Sequence, residues 1–183
     1  MEPRKMIDAD RMAVMIQRLA YQLVENYDNF NDVVVIGLQP RGTVLAKRLH
    51  TLIQEIAGNT SIPFGELDVT FYRDDFRRSE EPLTPNTNSI EFLIENKKVI
   101  LVDDVLYTGR SIRAALDALT AYGRPAKVEL AVLIDRRYAR ELPIEPDYTG
   151  EAVDTRAHDK VKVQWSEKDN EDCVWLLTVD VKK

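Results

Sequence analysis

The chain has 183 residues and a formal net charge of −6, from 25 lysines and arginines against 31 aspartates and glutamates. This length predicts one domain, residues 1–183, which is large enough to bury a core without disulfides or structural metals. The single cysteine, Cys173, excludes an internal disulfide and a cysteine-based zinc site. The acidic balance argues against a surface that binds nucleic acid all over, although a local basic patch is still compatible with it. The sequence has no apolar run long enough to span a membrane and no apolar signal core at residue 1, so we expect a soluble cytoplasmic protein without a membrane partner.

The spacing of apolar residues predicts helices and strands that alternate along most of the chain. In chain order these are a helix at 8–26, a buried strand at 33–37, a helix at 43–57, a half-exposed strand at 67–72, a strand at 98–102, a helix at 111–122 and a strand at 127–134. The tail, 135–183, is rich in turns and then predicts short strands around VKVQW and VWLLTV. This alternation predicts an α/β fold, with a mostly parallel sheet flanked by helices.

The first candidate binding loop is GLQPRGT (37–43), at the carboxyl end of a predicted strand, where open parallel sheets bind their ligands. Gly37 and Gly42 have the spacing of a nucleotide-triphosphate loop, but Thr43 stands where that loop requires lysine. What is left is a tight PRG turn, whose Arg41 can bind an anion through its guanidinium fork. Taken alone, the stretch is more simply an ordinary turn with a solvent-facing arginine, and only a second loop makes the anion site the better interpretation.

The second candidate loop lies in VILVDDVLYTGRSIRAALDAL (99–119), where a buried strand meets two carboxylates and then a small, hydroxyl-rich turn before a helix. The backbone N–H groups of residues 107–111 and the helix N-terminus predict a phosphate site, and Gly109 permits its close approach. Asp103 and Asp104 would repel a phosphate, so they indicate a ribose diol or a magnesium ion beside it. The alternative is that the two aspartates merely end a strand and begin a turn.

These residues carry a resemblance to a known family. VILVDDVLYTGRS is similar to the signature of the type I phosphoribosyltransferases, which bind 5-phosphoribosyl-1-pyrophosphate (PRPP). More narrowly, the chain resembles the PyrR family of pyrimidine-operon regulators that also act as uracil phosphoribosyltransferases. The further stretches that carry this likeness are RGTVLAKRL (41–49), LDVTFYRDDF (67–76), GRPAKVELAVLIDR (123–136) and RELPIEPDYTG (140–150).

The resemblance implies the type I phosphoribosyltransferase fold, with a small hood from the C-terminal part, largely within 135–165, and a flexible loop at about 73–93 that closes over the reacting centre. It implies that uracil and PRPP give UMP and pyrophosphate, with Mg²⁺ as cofactor and a homodimer or higher homo-oligomer as the assembly. Closure of the loop would exclude water, which otherwise hydrolyses PRPP.

Residue roles follow from the same resemblance. The implied catalytic residues are Asp103, Asp104 and Arg73, and the two aspartates would face the ribose hydroxyls and magnesium, mainly through substrate or water. The implied 5-phosphate site is Leu106, Tyr107, Thr108, Gly109, Arg110 and Ser111. The implied pyrophosphate site is Pro40, Arg41 and Gly42. Arg136 and Val161 would lie in the hood over uracil.

The chain departs from the family where its regulators bind RNA. Residues 1–30 hold 4 lysines and arginines against 5 aspartates and glutamates, and residues 135–183 hold 9 against 12. Tyr21, Asn26 and Glu151 stand where family members typically carry histidine, arginine and lysine. Because RNA affinity depends mainly on cations that meet phosphates, these differences favour an enzyme of uracil salvage over a UMP-sensing, RNA-binding attenuator of pyrimidine operon expression. A phosphoribosyltransferase for another base, such as hypoxanthine or orotate, is the third interpretation.

A second departure lies beside the pyrophosphate turn, where Gln39 and Pro40 replace a usual lysine and threonine. In the superfamily this loop often contains a cis peptide before its basic residue. By position, the resemblance predicts a cis bond between Pro40 and Arg41, which is not an X–Pro bond and would cost about 3–4 kcal/mol.

Overall fold

Strands and helices alternate through most of the chain, as the sequence predicts. The computed structural model describes residues 3–27, 29–72, 88–156 and 158–178. The elements in chain order are β1 (Pro3–Ile7), α1 (Ala9–Asn26), β2 (Val33–Leu38), α2 (Gly42–Ala57), β3 (Phe64–Leu67), β4 (Lys98–Leu106), α3 (Arg110–Leu119), β5 (Lys127–Arg137), β6 (Tyr148–Asp154), β7 (Lys160–Gln164), α4 (Ser166–Asp169) and β8 (Cys173–Leu177). Single turns of 3₁₀ helix at Thr70–Tyr72 and Thr120–Tyr122 follow β3 and α3.

Five parallel strands form the central sheet, in the order β3-β2-β4-β5-β6, and this confirms the predicted α/β class. All six residues of β2 are buried, as expected for a strand covered by helices on both sides. Gly37 of β2 lies opposite Val102 of β4 in the ladder. The loops that follow β2 and β4 therefore leave the same edge of the sheet side by side.

The core divides into two layers, one on each face of the sheet. Val33 and Val35 of β2 pack beneath α1 and α2, whereas Val34 and Ile36 pack with α3. This division follows from the pleat, because successive strand residues point to opposite faces. Burial of each such side chain stabilises the fold by roughly 1.5–3 kcal/mol.

Local signals set the ends of the first two helices. The Asp8 side chain caps α1, since its Oδ1 accepts a hydrogen bond from the Arg11 backbone N–H at 3.0 Å. Helix α2 ends at Gly58, whose φ of +62° closes the helix in the left-handed conformation that glycine adopts without a steric penalty. Both ends agree with the predicted boundaries.

A second, three-stranded antiparallel sheet has the order β1-β8-β7. Its middle strand pairs with both neighbours, Pro3 lying opposite Leu177 on one side and Val161 opposite Leu176 on the other. The sequence predicts β7 and β8 but neither β1 nor β6. This sheet draws on both ends of the described chain, and β7 packs near β4.

The predicted half-exposed strand at 67–72 is wrong. Strand β3 ends at Leu67, and the chain then turns because Oδ1 of Asp68 accepts hydrogen bonds from the backbone N–H of Thr70 at 2.8 Å and from its hydroxyl at 2.5 Å. An aspartate that bonds two residues ahead favours a turn over a strand. Leu67, Asp68 and Val69 are all buried.

Strands β4 and β5 run past their predicted ends at 102 and 134, because each holds the other in the ladder. Asp103 lies opposite Val132, and Leu106 lies opposite Asp135. Polar residues that look like loop in the sequence are thus part of the sheet. Within the described part of the chain, no helix has both the length and the apolar character needed to cross a lipid bilayer.

Candidate active site

The two candidate loops lie against each other at the carboxyl edge of the sheet. A Cβ at Gly42 would fall 2.7 Å from the carbonyl oxygen of Val102 and 2.8 Å from Cα of Asp103. No side chain fits this space, so glycine at 42 lets the first loop rest directly on β4. The loop that follows β2 therefore lies immediately beside the two aspartates.

Asp103 and Asp104 are the last polar pair inside β4, and both are half-buried. Oδ1 of Asp103 accepts the backbone N–H of Asp104 at 2.9 Å. Burial raises the pKa of Asp104, while hydrogen bonds and the charge of Arg41 oppose this rise. A cation or a ribose diol at this position would compensate for the desolvation of the carboxylate.

The turn between β4 and α3, which is the predicted phosphate loop, has a geometry that suits a bound anion. Gly109 precedes the first residue of α3 with φ +91°, a left-handed conformation in which a side chain would be strained. Thr108 Oγ1 accepts from the backbone N–H of Arg110 at 3.4 Å, and Ser111 lies half-buried in the first turn. A helix N-terminus preceded by such a turn favours a bound anion.

The guanidinium of Arg41 does not point freely into solvent. It donates to the carbonyl oxygen of Val163 at 2.8 Å and forms a two-point ion pair with Asp169 of α4. The hydrogen bond to Asp169 is the main cause that raises the pKa of Arg41, and the nearby charge of Asp104 adds to it. Lys168 Nζ also donates to the carbonyl oxygen of Pro40, so α4 holds both sides of this loop.

The predicted cis bond between Pro40 and Arg41 is wrong. The cis peptide lies one residue earlier, between Gln39 and Pro40. The tertiary amide of an X–Pro bond reduces the trans preference to about 0.5–1 kcal/mol, whereas the bond that follows proline is an ordinary secondary amide. The loop thus turns at the one bond where a cis form is inexpensive.

The predicted hood residues occupy two different elements. Arg136, near the end of β5, is buried, and its guanidinium lies 3.8 Å from the ring centre of Tyr107 in the phosphate loop. It also donates to Thr155 Oγ1 at 3.0 Å and to the carbonyl oxygen of Asp159 at 2.8 Å. Burial is the main cause that lowers the pKa of Arg136. Val161 is half-buried on β7.

Arg73 and positions 73–87 of the predicted flexible loop lie outside the described residues. Residues 88–93 are described and are fixed to the sheet, since Ser89 pairs with Glu66 and Asn88 Oδ1 accepts the backbone N–H of Asp68 at 2.6 Å.

Two residues with prominent contacts at these loops, Asp169 and Arg140, were missed in the sequence. Arg140 begins the RELPIEPDYTG stretch, which the resemblance singled out as a block without giving this arginine a role. Asp169 had no signal at all, because its partner Arg41 lies 128 positions away.

Comparison with known proteins identifies the class of protein to which this fold belongs. A model of the phosphoribosyl transferase domain family matches residues 4–168. The fold is similar to that of a hypoxanthine phosphoribosyltransferase from Staphylococcus aureus, with a TM-score of 0.71 at 20% identity, over 96% of this chain and 92% of that one. A hypoxanthine phosphoribosyltransferase of Trypanosoma cruzi gives a TM-score of 0.71 at 16% identity, over 97% of both chains. The chain has a phosphoribosyltransferase domain.

Closer relatives narrow this class. The bifunctional protein PyrR of Desulfosudis oleivorans is 48% identical over 172 residues, which is 94% of each chain. The bifunctional protein pyrR of Enterococcus faecalis is 41% identical over 176 residues, and a pyrimidine operon regulatory protein of Lactococcus lactis is 43% identical over 180 residues. These cover 96% and 98% of this chain, and 97% and 100% of their own lengths. The chain belongs to the PyrR family, which confirms the resemblance first carried by VILVDDVLYTGRS.

Proposed function

We propose that this protein is a uracil phosphoribosyltransferase, which converts uracil and PRPP to UMP and pyrophosphate. The observation that carries the proposal is the contact of Gly42 with Asp103, because it joins a candidate pyrophosphate loop to the carboxylates that precede a phosphate loop. Membership of the PyrR family supports uracil as the base. The cytoplasm is the location that fits such an enzyme.

In this proposal the two loops hold the two ends of PRPP. The turn from Leu106 to Ser111 takes the 5-phosphate with its backbone N–H groups and hydroxyls. Pro40, Arg41 and Gly42 hold the pyrophosphate. The bond from the anomeric carbon to the pyrophosphate oxygen breaks and its electron pair stays on pyrophosphate, a bond to uracil N1 forms, and the N1 proton is released to water. Positive charge that develops on the sugar lies near Asp103 and Asp104, and negative charge on the leaving group lies near Arg41.

Magnesium fits this site as an ion held largely by substrate. Among the described residues, no group of three or more His, Cys, Asp or Glu side chains is placed to bind a metal. Mg²⁺ in such sites takes one or two carboxylates and completes its shell with water and substrate oxygens, which suits the pair Asp103 and Asp104. When bound, it would neutralise charge on the pyrophosphate as it leaves.

The remaining roles are also proposals. Arg136 and Val161 contribute to the pocket for uracil, in which Arg136 is supported by its position beside Tyr107 of the phosphate loop. The closure over the reacting centre that the resemblance implies for Arg73 and the flexible loop remains a proposal for residues 73–87, which lie outside the described residues. The assembly is a homodimer or a higher homo-oligomer.

A second candidate function is an RNA-binding regulator that senses UMP, and the name of the Lactococcus lactis relative favours it. Two contacts weigh against it. Glu151 forms an ion pair with Arg11 at 2.7 Å, and Asn26 donates to the Tyr148 hydroxyl at 3.1 Å. Glu151 and Asn26, which stand where the family typically has lysine and arginine, thus contact other residues of this protein. The Glu151 pair also neutralises the charge of Arg11 on α1. Weak, salt-sensitive binding of pyrimidine-operon leader RNA in a filter assay is the expected result; tight and specific binding would establish the regulator.

The decisive experiment measures nucleotide formation from PRPP and Mg²⁺ with a panel of bases. We expect UMP from uracil at a rate far above any product from hypoxanthine or orotate. A clear preference for either of those bases would overturn uracil as the substrate. If no base gives a nucleotide with PRPP, the proposal that this protein is a phosphoribosyltransferase enzyme is wrong.

A further inference from the structure

Arg140 makes an unusually complete set of contacts beneath the phosphate loop. Its Nη1 donates to the carbonyl oxygen of Tyr107 at 2.6 Å and to that of Leu106 at 3.4 Å. Its Nη2 donates to the carboxylate of Asp135, which lies near the end of β5. The side chains of Arg140 and Asp135 are only 20% and 14% exposed, so this is a mostly buried pair.

The same guanidinium also fixes its own segment of chain. Nη1 donates to the carbonyl oxygen of Arg136 at 3.1 Å, and Nε donates to that of Ile144 at 2.8 Å. Nε, Nη1 and Nη2 are all engaged, and Asp135 balances the charge. Arg140 is therefore committed to the protein and is not a ligand for the substrate phosphate.

The backbone beside Arg140 completes the contact with the loop. The N–H groups of Glu141 and Leu142 both donate to the carbonyl oxygen of Thr108, at 3.0 and 3.2 Å. Side-chain atoms of Leu142 and Ile144 lie 3.3–3.4 Å from the position of a Cβ at Gly109. Segment 140–144 thus covers one side of the loop from Leu106 to Gly109.

Three successive carbonyl oxygens, those of residues 106, 107 and 108, accept hydrogen bonds from residues 140–142. This fixes the orientation of the peptide units on which a phosphate loop depends. A loop preorganised in this way binds an anion without the cost of ordering its backbone. Loss of the guanidinium would free the carbonyl oxygens of Leu106 and Tyr107 and let these units rotate.

We propose that Arg140 is a positioning residue for the 5-phosphate site, which holds the loop of Leu106–Ser111 in its binding conformation from the side opposite the substrate. The proposal rests on the proposed function, since it assigns the 5-phosphate of PRPP to this loop. It predicts a larger effect on PRPP and on phosphate than on the base.

Two variants of Arg140 and one control test this. Arg140→Gln removes the charge and the fork, whereas Arg140→Lys keeps a charge but has three donors on a single nitrogen, so it cannot serve the loop carbonyl oxygens, Asp135 and the carbonyl oxygen of Ile144 together. Arg137→Gln is the control, because Arg137 is the last residue of β5, three positions before Arg140, and its ion pair with Asp154 is half-exposed. Thermal unfolding of all three proteins establishes that they fold.

We expect Arg140→Gln to raise the KM for PRPP roughly tenfold or more, and Arg140→Lys to raise it by a smaller factor, with a clearly smaller change in the KM for uracil in both. The dissociation constant of ribose 5-phosphate should rise by a similar factor. Arg137→Gln should leave all three constants as in the wild type. If Arg140→Lys folds and its PRPP and ribose 5-phosphate constants equal those of the control, the proposal is wrong.

Ribose 5-phosphate binding separates this proposal from the proposed function. If the wild type makes no UMP but binds ribose 5-phosphate, and Arg140→Gln weakens that binding, the positioning role stands and the assignment of uracil as the substrate is wrong. If the wild type makes UMP and the Arg140 variants raise the KM values of PRPP and uracil equally, the residue supports the fold in general and the positioning role is wrong.

Discussion

Arg41 and Asp169 face each other as a two-point ion pair, with Nη1 2.8 Å from Oδ2 and Nη2 3.3 Å from Oδ1. The pair joins the loop after β2 to α4, which is itself anchored on α2 by Arg48. That arginine contacts Asp172 at 2.8 Å and Glu167 at 2.7 Å. The arginine proposed for pyrophosphate therefore already has a carboxylate partner, and pyrophosphate has to compete with it or bind beside it.

Removal of that competitor should strengthen pyrophosphate binding. Asp169→Asn leaves the charge of Arg41 uncompensated, so we expect the inhibition constant of pyrophosphate to fall by about threefold to tenfold, in line with a partly exposed ion pair. Product-inhibition kinetics against PRPP measure this. Asp172→Asn, which breaks the neighbouring pair with Arg48, is the control and should not change the constant. An inhibition constant that rises in Asp169→Asn would mean that Asp169 holds Arg41 in place for pyrophosphate.

The same pair predicts a pH dependence of stability. The hydrogen bond from Arg41 lowers the pKa of Asp169 to about 2. A carboxyl group with a lowered folded-state pKa stabilises the protein above its unfolded pKa, near 4, and loses this contribution as the pH falls from about 4 to about 2. Wild type should thus lose more unfolding free energy than Asp169→Asn across this interval, measured by urea titration. Equal losses of unfolding free energy in the two proteins would show that the Arg41–Asp169 pair does not stabilise the fold.

Asp104→Asn tests the carboxylate that is proposed to lie at the reacting centre. The substitution keeps the shape but removes the charge that would face the ribose and magnesium, so kcat should fall about 100-fold or more. Because burial already disfavours the ionised form of Asp104, the thermal midpoint should not decrease. Asp117→Asn, on the exposed side of α3, is the control and should behave like the wild type. Near-normal turnover by Asp104→Asn would exclude its assigned role.

Gly42→Ala tests the contact between the two loops. Its added methyl would overlap the carbonyl oxygen of Val102, so the loop must move, and we expect the KM for PRPP to rise about tenfold. Gly58→Ala is the matched control, since Gly58 has a positive φ but nothing within 4 Å of the added Cβ. It should lose about 1–2 kcal/mol of stability and keep its KM. Equal KM values for PRPP in the two variants would show that this loop does not bind PRPP.

Periodic apolar patterns predicted α1, β2, α2 and the first part of β4, because the apolar residues of these elements follow helix or strand spacing locally and are buried in the fold. Strand β1 (Pro3–Ile7) could not be predicted, since only its pairing with Trp175 and its neighbours makes this polar stretch a strand. The turn at Asp68 was hidden within alternating apolar residues, and a side-chain hydrogen bond decided it.

The candidate site shows the same division. Its loops could be predicted, because glycines, hydroxyls and carboxylates that follow strands leave a local signal in GLQPRGT and DDVLYTGRS. The contacts that hold these loops could not, since Arg140 reaches back 33 positions to Tyr107 and Asp169 reaches back to Arg41. Such pairings depend on how the sheet brings distant strand ends together, which no local pattern encodes.

The small antiparallel sheet has a consequence for truncated forms of the protein. Its outer strands carry cations, Arg4 and Lys5 on β1 and Lys160 and Lys162 on β7, which discourage pairing with a further strand. The middle strand, Cys173–Leu177, reads CVWLL and has no such protection. Removal of residues 1–7 would turn this apolar strand into an open edge, so the shortened chain should self-associate through it even where the rest of the fold is intact.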